Sequence, residues 1–405
     1  MKLGETIAGN TSHWGSFNAI VHDGRLVGVE PFAGDEDPSP MLATIPSAIY
    51  HETRVARPMV RAGYLEHGIQ SDRAGRGVEP FVPVSWDQAL DLVSRELQRV
   101  KAGHGNQSIY ASSGWASPGV FHHSKSQLDR FFNAFGGFVD QVTNFSFGAA
   151  SVIVPHVVGS MQPILGPHAA WPTIAKHTDL MVLFGGMAPK NNQVNSRGLA
   201  RHESLAQIKE VVEAGVEFVS ISPLRDDTRE ILDAEWLAIR PNTDTAMMLA
   251  LAHTLLIEDL HDAAFLSTHC AGFARFEAYL LGKTDGQAKD ANWAAPITGI
   301  KPNTILALAR RMARARTLIT ASWSIQRADH GEQPCWAAIA LAAMLGQIGL
   351  PGAGIGFGYG AIHGIGMPRQ RIPAPKLPCG HNPVTDYIPV ARVTDMLLDP
   401  GGEFD

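Results

Sequence analysis

Four short apolar runs, separated by stretches of helical spacing, restrict the fold of this chain more than any other feature. Residues 180–184, 216–221, 236–239 and 317–321 read as strands of a largely buried sheet. Residues 204–214, 245–257 and 336–345 have the length and apolar spacing of helices. Strands that alternate with helices predict a parallel, doubly wound α/β sheet. The expected fold class is therefore α/β: a Rossmann-like domain, a small β-rich N-terminal region and part of a second α/β lobe.

The 405 residues exceed the ~250–300 at which one core stops growing, so more than one unit is expected. Residues 1–60 read as the β-rich region, with a hairpin over 17–29 turning at Asp23-Gly24 and an acidic, proline-rich loop over 31–40. Residues 61–153 read as the first part of a lobe. It holds a helix over 85–100, capped by Ser85 and carrying Ala89, Leu90, Leu92, Val93 and Leu97, and a short strand over 108–111. Residues 154–345 make the Rossmann-like domain, and 346–405 return to the lobe.

The chain is 45% hydrophobic, which excludes a disordered protein. Its net charge of −6 excludes the basic stripe of a nucleic-acid binder. Cys270, Cys335 and Cys379 are odd in number and far apart, so they form neither a disulfide framework nor a zinc or iron–sulfur ligand set. A reducing, cytoplasmic setting is the simpler expectation. No leader pattern opens the sequence, and the apolar run 336–350 is too short for a membrane span, which needs ~20 residues. A soluble protein is expected.

In open α/β sheets ligands sit beyond the carboxyl ends of the strands. Those ends carry Lys190-Asn191-Asn192; Ser222-Pro223 with Asp226, Asp227 and Thr228; Pro241-Asn242-Thr243-Asp244; and Ser322-Trp323 with Gln326-Arg327. Cations and free helix N-termini suit a pyrophosphate, and a carboxylate suits ribose or guanine donors. Read singly, Ser222 and Thr243-Asp244 are caps and turns; four convergent loops favour a nucleotide site. The Gly-x-Gly-x-x-Gly fingerprint is absent from the first strand–helix turn, which reads Gly185-Gly186-Met187-Ala188-Pro189-Lys190, and no phosphate loop exists. A plain dehydrogenase or P-loop enzyme is disfavoured. The adjacent His122-His123 lack the spacing of a zinc site.

Several longer blocks then carry a resemblance. They are Thr11-Ser12-His13-Trp14-Gly15; Arg57-Pro58-Met59-Val60-Arg61; Ser113-Gly114-Trp115 with Ser117-Pro118-Gly119; and Phe145-Ser146-Phe147-Gly148. Pro241-Asn242-Thr243-Asp244, Ser322-Trp323-Ser324-Ile325-Gln326-Arg327, His330-Gly331-Glu332-Gln333-Pro334 and the run from Leu345 to Gly352 follow in order. In this series the chain resembles the dimethyl sulfoxide reductase family of molybdenum enzymes, and most of all the branch of biotin sulfoxide and trimethylamine N-oxide reductases.

The resemblance implies molybdenum held by molybdopterin guanine dinucleotide, two copies in a complete enzyme. It implies that Ser146 ligates the metal through its hydroxyl oxygen and that the Trp115 indole donates to the metal's oxo group. Ser113 stands where dimethyl sulfoxide reductases carry a tyrosine, which shifts the expected substrate toward a bulkier sulfoxide or an N-oxide. Trp14, Lys190, Asn191, Ser222, Asn242, Thr243, Asp244, Ser322, Trp323, Gln326 and Arg327 match positions that hold pterin, phosphate or guanine.

The implied reaction is oxygen-atom transfer from an S-oxide or N-oxide such as biotin sulfoxide, methionine sulfoxide or trimethylamine N-oxide. The sequence shows no flavin or haem motif, so an external electron donor is implied. Members of the family are about twice as long. A second polypeptide or a missing C-terminal half is expected as partner, and a non-catalytic nucleotide-binding fragment stays open as the alternative.

Overall fold

The computed structural model describes residues 4–115, 118–162, 169–228, 230–368 and 375–403; Ser117 lies outside them. Strands β1 (Glu5–Ser12), β2 (Gly15–His22) and β3 (Arg25–Pro31) form an antiparallel meander. The Asp23-Gly24 turn joins β2 to β3 with φ of 50° and 74°, the left-handed pair that lets a two-residue loop follow the twist of its strands. Phe17 and Ala19 of β2 close over Leu42, with Trp14 packed against them.

Next, β4 (Met59–Arg61) pairs with β5 (Phe81–Pro83), and a helix runs from Trp86 to His104. The Ser85 hydroxyl caps it by accepting from Gln88 N at 3.1 Å, as its position before the apolar run predicts. The strand expected over 108–111 shrinks to one parallel bridge, Tyr110 with Val139, after a 3-10 turn over Asn106–Ser108. Beyond the bridge, side chains replace the backbone ladder: the Ser112 hydroxyl donates to Gln141 Oε1 at 2.6 Å. Gln141 belongs to β6 (Asp140–Val142).

The central layer is a five-stranded parallel sheet of β7 (Leu180–Phe184), β8 (Glu217–Ile221), β9 (Glu235–Leu237), β10 (Thr317–Ala321) and β11 (Gly354–Phe357), in the order β11-β10-β7-β8-β9. Every residue of β7, β10 and β11 is buried. Two helices, Asp244–Ile257 and Glu332–Met344, pack together in the large core cluster that covers one face of the sheet. They are apolar nearly all round because neighbouring helices cover their far sides as well. A second cluster with Trp171, Ile208 and Phe218 fills the opposite face.

Two elements depart from expectation. The third strand stops at Leu237 because Ile239 N turns back onto Leu237 O at 2.9 Å, which ends the ladder. The fifth strand, β11, lies past the expected boundary at residue 345 and hides in the sequence Gly-Ile-Gly-Phe, since glycine weakens a strand signal. The chain then returns through β12 (Tyr387–Pro389), which pairs in parallel with β6.

Candidate active site

Strand order locates the site before any side chain does. From β7 the chain steps outward to β8 and β9, then returns to the other side of β7 for β10 and β11. The direction reverses between β7 and β10, and a doubly wound sheet opens its ligand crevice at that reversal, beyond the strands' carboxyl ends. The loops leaving those two strands are Gly185-Gly186 and Ser322–Arg327.

Both loops are in close contact. A Cβ on Gly185 (φ 84°) would run into Ser322 and Ile325, and one on Gly186 (φ 70°) into the backbone of Asp227 after β8. Only glycine meets both demands, a left-handed φ and no side chain. The Gly185 N–H is drawn onto Ile221 O at 2.8 Å, and Ser322 N onto Phe184 O at 2.8 Å.

Ser146 is brought to this same crevice. Its carbonyl oxygen accepts from Gln326 Nε2 at 3.0 Å and from Arg327 Nε at 2.9 Å. Gln326 Oε1 accepts from Ala149 N at 2.9 Å and Ala150 N at 3.4 Å, satisfying free amides at the start of the Gly148–Val158 helix. The neighbouring Phe147 packs its ring on Trp323 at 4.5 Å and on Phe357 at 6.4 Å. Ser146 itself is half-buried, and its hydroxyl makes no hydrogen bond among the described residues.

The stretch that carries Ser113 and Trp115 is tied to β6 by the Ser112 hydroxyl on Gln141. It leaves the Tyr110–Val139 bridge parallel to the stretch that leads through β6 to Ser146. Ser113 Oγ is buried without a partner. The Trp115 ring is 46% exposed and lies against His13 at 5.1 Å between centroids. His13 O in turn accepts from Asn195 N at 2.9 Å, so the tip of the β1–β2 hairpin, with Trp14, joins the loop that follows Lys190-Asn191-Asn192.

The other expected residues divide by what their side chains do. The Ser222 hydroxyl donates to Asp227 Oδ2 at 2.8 Å, and Thr243 Oγ1 donates to Arg240 O at 2.7 Å, so both hold their own turns. Ser322 Oγ accepts from Ser324 N at 3.5 Å and from its hydroxyl at 3.2 Å. The Gln326 amide is taken up entirely by Ser146, Trp323, Ala149 and Ala150, so it holds protein rather than ligand. Lys190 and Asn242 are exposed, Asn242 with φ of 62°, and Asn191 is half-buried in the turn Pro189–Gln193. No hydrogen bond or ring contact joins Lys190 or Asn242 to Ser146 among the described residues; β9 sits three strand spacings, ~14 Å, from β10.

Asp244 opens the helix after β9 with 6% of its surface exposed. Burial pushes its carboxyl up to about 6, against a smaller opposing pull from its own backbone amide. Sequence reasoning missed Phe147 as the wedge on Trp323, and missed Asp35, His202 and His363 behind the Lys190 turn, whose partners lie far apart in the chain. His123 caps the Ser124–Phe135 helix, its Nδ1 accepting from Ser126 N at 3.1 Å.

A concavity of about 680 Å³ opens at the other end of the sheet beside Asp179 and Glu217. Its Arg310 and Arg311 are paired with Glu258, Glu217 and Glu235, so it reads as a surface ion-pair groove. The chemistry-bearing loops lie at the reversal between β7 and β10 instead.

Residues 54–385 match the molybdopterin oxidoreductase family, and residues 10–50 match the molybdopterin oxidoreductase N-terminal domain. The chain belongs to the molybdopterin oxidoreductase family. Among its relatives, it is 46% identical over 93% of its length to biotin sulfoxide reductase of Cereibacter sphaeroides, covering 51% of that protein. It is 42% identical over 99% of its length to dimethyl sulfoxide/trimethylamine N-oxide reductase of the same organism, covering 50% of it. It is also 42% identical over 96% of its length to trimethylamine-N-oxide reductase 1 of Escherichia coli strain K12, covering 48%. The chain spans about half the length of the curated relatives it matches. In fold it resembles acetylene hydratase from Pelobacter acetylenicus, with a TM-score of 0.54 and 19% identity over 85% of this chain and 44% of that one.

The family's cofactor is molybdenum bound by molybdopterin guanine dinucleotide, and the residues at the reversal fit such a group. Among the described residues Trp323 Nε1 and Asn192 Nδ2 are buried donors without an acceptor, and Ser113 Oγ is likewise without a partner. Buried polar atoms of this kind ordinarily find a partner. Among the described residues no helix is long and apolar enough to cross a membrane.

Proposed function

We propose that this chain forms part of a molybdenum-dependent reductase of S-oxides or N-oxides. The observation that carries the reading is the anchoring of Ser146, through its main chain, at the sheet's reversal point with its hydroxyl uncommitted. The relatives' names supply the substrate class: a small sulfoxide or N-oxide oxygen.

When bound, the cofactor supplies two-electron oxygen-atom transfer. This chain's residues do the rest. Ser146 offers the metal a hydroxyl oxygen, while Gln326 and Arg327 fix the carbonyl that sets its position. Trp115 supplies an indole N–H at the substrate side, and Ser113 leaves more room there than an aromatic hydroxyl would. Trp323, Ser322 and Arg327 would border the dinucleotide at the reversal, and Asn242, Thr243 and Asp244 would receive its far end, with the Asp244 carboxylate as acceptor for guanine N–H groups. Lys190, Asn191 and Trp14 border the pterin side. Electrons come from an external donor, and the free cysteines Cys270, Cys335 and Cys379 suit a reducing cytoplasm.

Protein produced with molybdate should carry molybdenum and release guanine nucleotide on denaturation. It should oxidise reduced viologen when given a sulfoxide or N-oxide. Protein that carries neither metal nor nucleotide would overturn the reading.

A further inference from the structure

Behind the Lys190 turn lies a fully buried histidine–carboxylate pair that the proposed chemistry does not use. Asp35 and His202 both have side chains of 0% exposure, with His202 Nδ1 2.7 Å from Asp35 Oδ2. The two residues meet twice, because the His202 backbone N–H also donates to Asp35 Oδ1 at 2.9 Å. The other ring nitrogen, Nε2, faces the carbonyl oxygen of Gln193 at 3.1 Å. The two ring nitrogens thus face one carboxylate oxygen and one carbonyl oxygen.

Each partner belongs to a different part of the site. Asp35 lies in the loop after β3, tied by its own N–H to Phe32 O at 2.9 Å. Gln193 is the last residue of the Pro189–Gln193 turn, which carries Lys190 and Asn191. The His202 ring also lies against Gly15, beside Trp14: a Cβ on Gly15 would come 3.1 Å from its Cε1. Two weaker ties reinforce the junction. His363 Nδ1 sits 3.2 Å from Asn192 O, and Gln193 Nε2 reaches Asp37 Oδ1 at 3.4 Å. Burial holds the His363 ring below the usual histidine range, with the nearby His202 adding to the effect.

We propose that the Asp35–His202 pair is a positioning device, which fixes the Lys190 turn and the Trp14 hairpin relative to each other and so presets the pterin side of the cofactor site. The inference rests on the proposed function. Breaking a buried pair leaves one group without its partner, so its effect reaches both segments at once. Neither residue touches the cofactor; both act through the main chain of the segments they hold.

The test is made on the full chain purified with its cofactor, reading guanine nucleotide retained per chain after gel filtration. Asp35→Asn keeps the shape and removes the charge, and should release nucleotide at least tenfold faster than the unsubstituted protein. Lys190→Ala should also release faster, and the double variant no faster than the faster single one, because the pair acts through that turn. Lys289→Met removes a nearly buried ammonium from its pair with the more exposed Asp285, outside the residues assigned to the site; it should melt earlier without faster release. Release from Asp35→Asn that matches the unsubstituted protein, or rates that multiply in the double variant, would overturn the proposal. Should Asp35→Asn not fold, hydrogen exchange on the unsubstituted chain decides: cofactor loading should slow residues 12–17 and 189–203 together, and slowing of one segment alone counts against it. If the unsubstituted protein holds no nucleotide, the functional reading fails and takes this inference with it.

Discussion

Gln326 and Ser146 are joined across the chain by a side-chain amide that donates to a main-chain carbonyl at 3.0 Å, while its oxygen accepts from the helix start three residues beyond Ser146. The amide therefore ties the loop after β10 to the loop after β6. Replacing it by Gln326→Leu strands the Ala149 and Ala150 amides in a partly buried setting, at ~1–3 kcal/mol for each buried group left unpaired. The expected outcome is a loss of about 2–4 kcal/mol of stability, read by denaturant unfolding. Molybdenum content should fall with it. Unchanged stability would show that the clamp is dispensable.

Ser146→Ala should behave in the opposite way. The hydroxyl holds no other group among the described residues, so stability should change by less than ~0.5 kcal/mol. Reductase turnover should drop by orders of magnitude. The two readouts together separate a ligand from a scaffold residue.

Asp244 predicts a pH dependence of defined sign. Its folded carboxyl titrates at about 6, above the ordinary value of 3.8, so the folded chain binds the proton more tightly than the unfolded one. In the cofactor-free chain the stability that this carboxyl contributes is full below pH ~4 and is lost as pH rises through 6. At ~1.4 kcal/mol per pKa unit, the group accounts for about 3 kcal/mol. Asp244→Asn should flatten that part of the stability profile and raise the unfolding temperature at pH 7. The same substitution should weaken retention of guanine nucleotide. A carboxylate kept for structure alone would show no such opposition.

Gly186→Ala tests the crossing of the β7 and β8 loops. A Cβ there overlaps the Asp227 carbonyl and sits on a left-handed φ, so strain and overlap act together. The variant should lose more than ~2 kcal/mol. Gly215→Ala, also left-handed but open around its Cα, should lose less, and chemical unfolding of the pair gives the difference.

The sheet was legible where burial and propensity agree. Leu180–Phe184 is apolar and Thr317–Ala321 mixes apolar residues with β-branched threonine; they are bounded by Gly185 and Ser322 and fall where the spacing predicts them. β11 was hidden because its glycines serve close packing, Gly356 beside Tyr359 and the following Gly358 beside Trp323, rather than strand propensity. The site residues at strand ends could be named, but not their division of labour. Whether an amide such as Gln326 points at a ligand or at the backbone of residue 146 depends on a contact 180 positions away in sequence. Asp35 and His202 left no sign for the same reason, since each looks like an ordinary loop residue until the fold buries them together.

Because the loop after β10 grips residue 146 by its carbonyl, its location owes nothing to which side chain it bears. A thiol or a carboxylate introduced there inherits the same address. On the proposed function, the donor atom that this position would offer the heavy element could thus be exchanged by a single codon change while the main-chain grip stands.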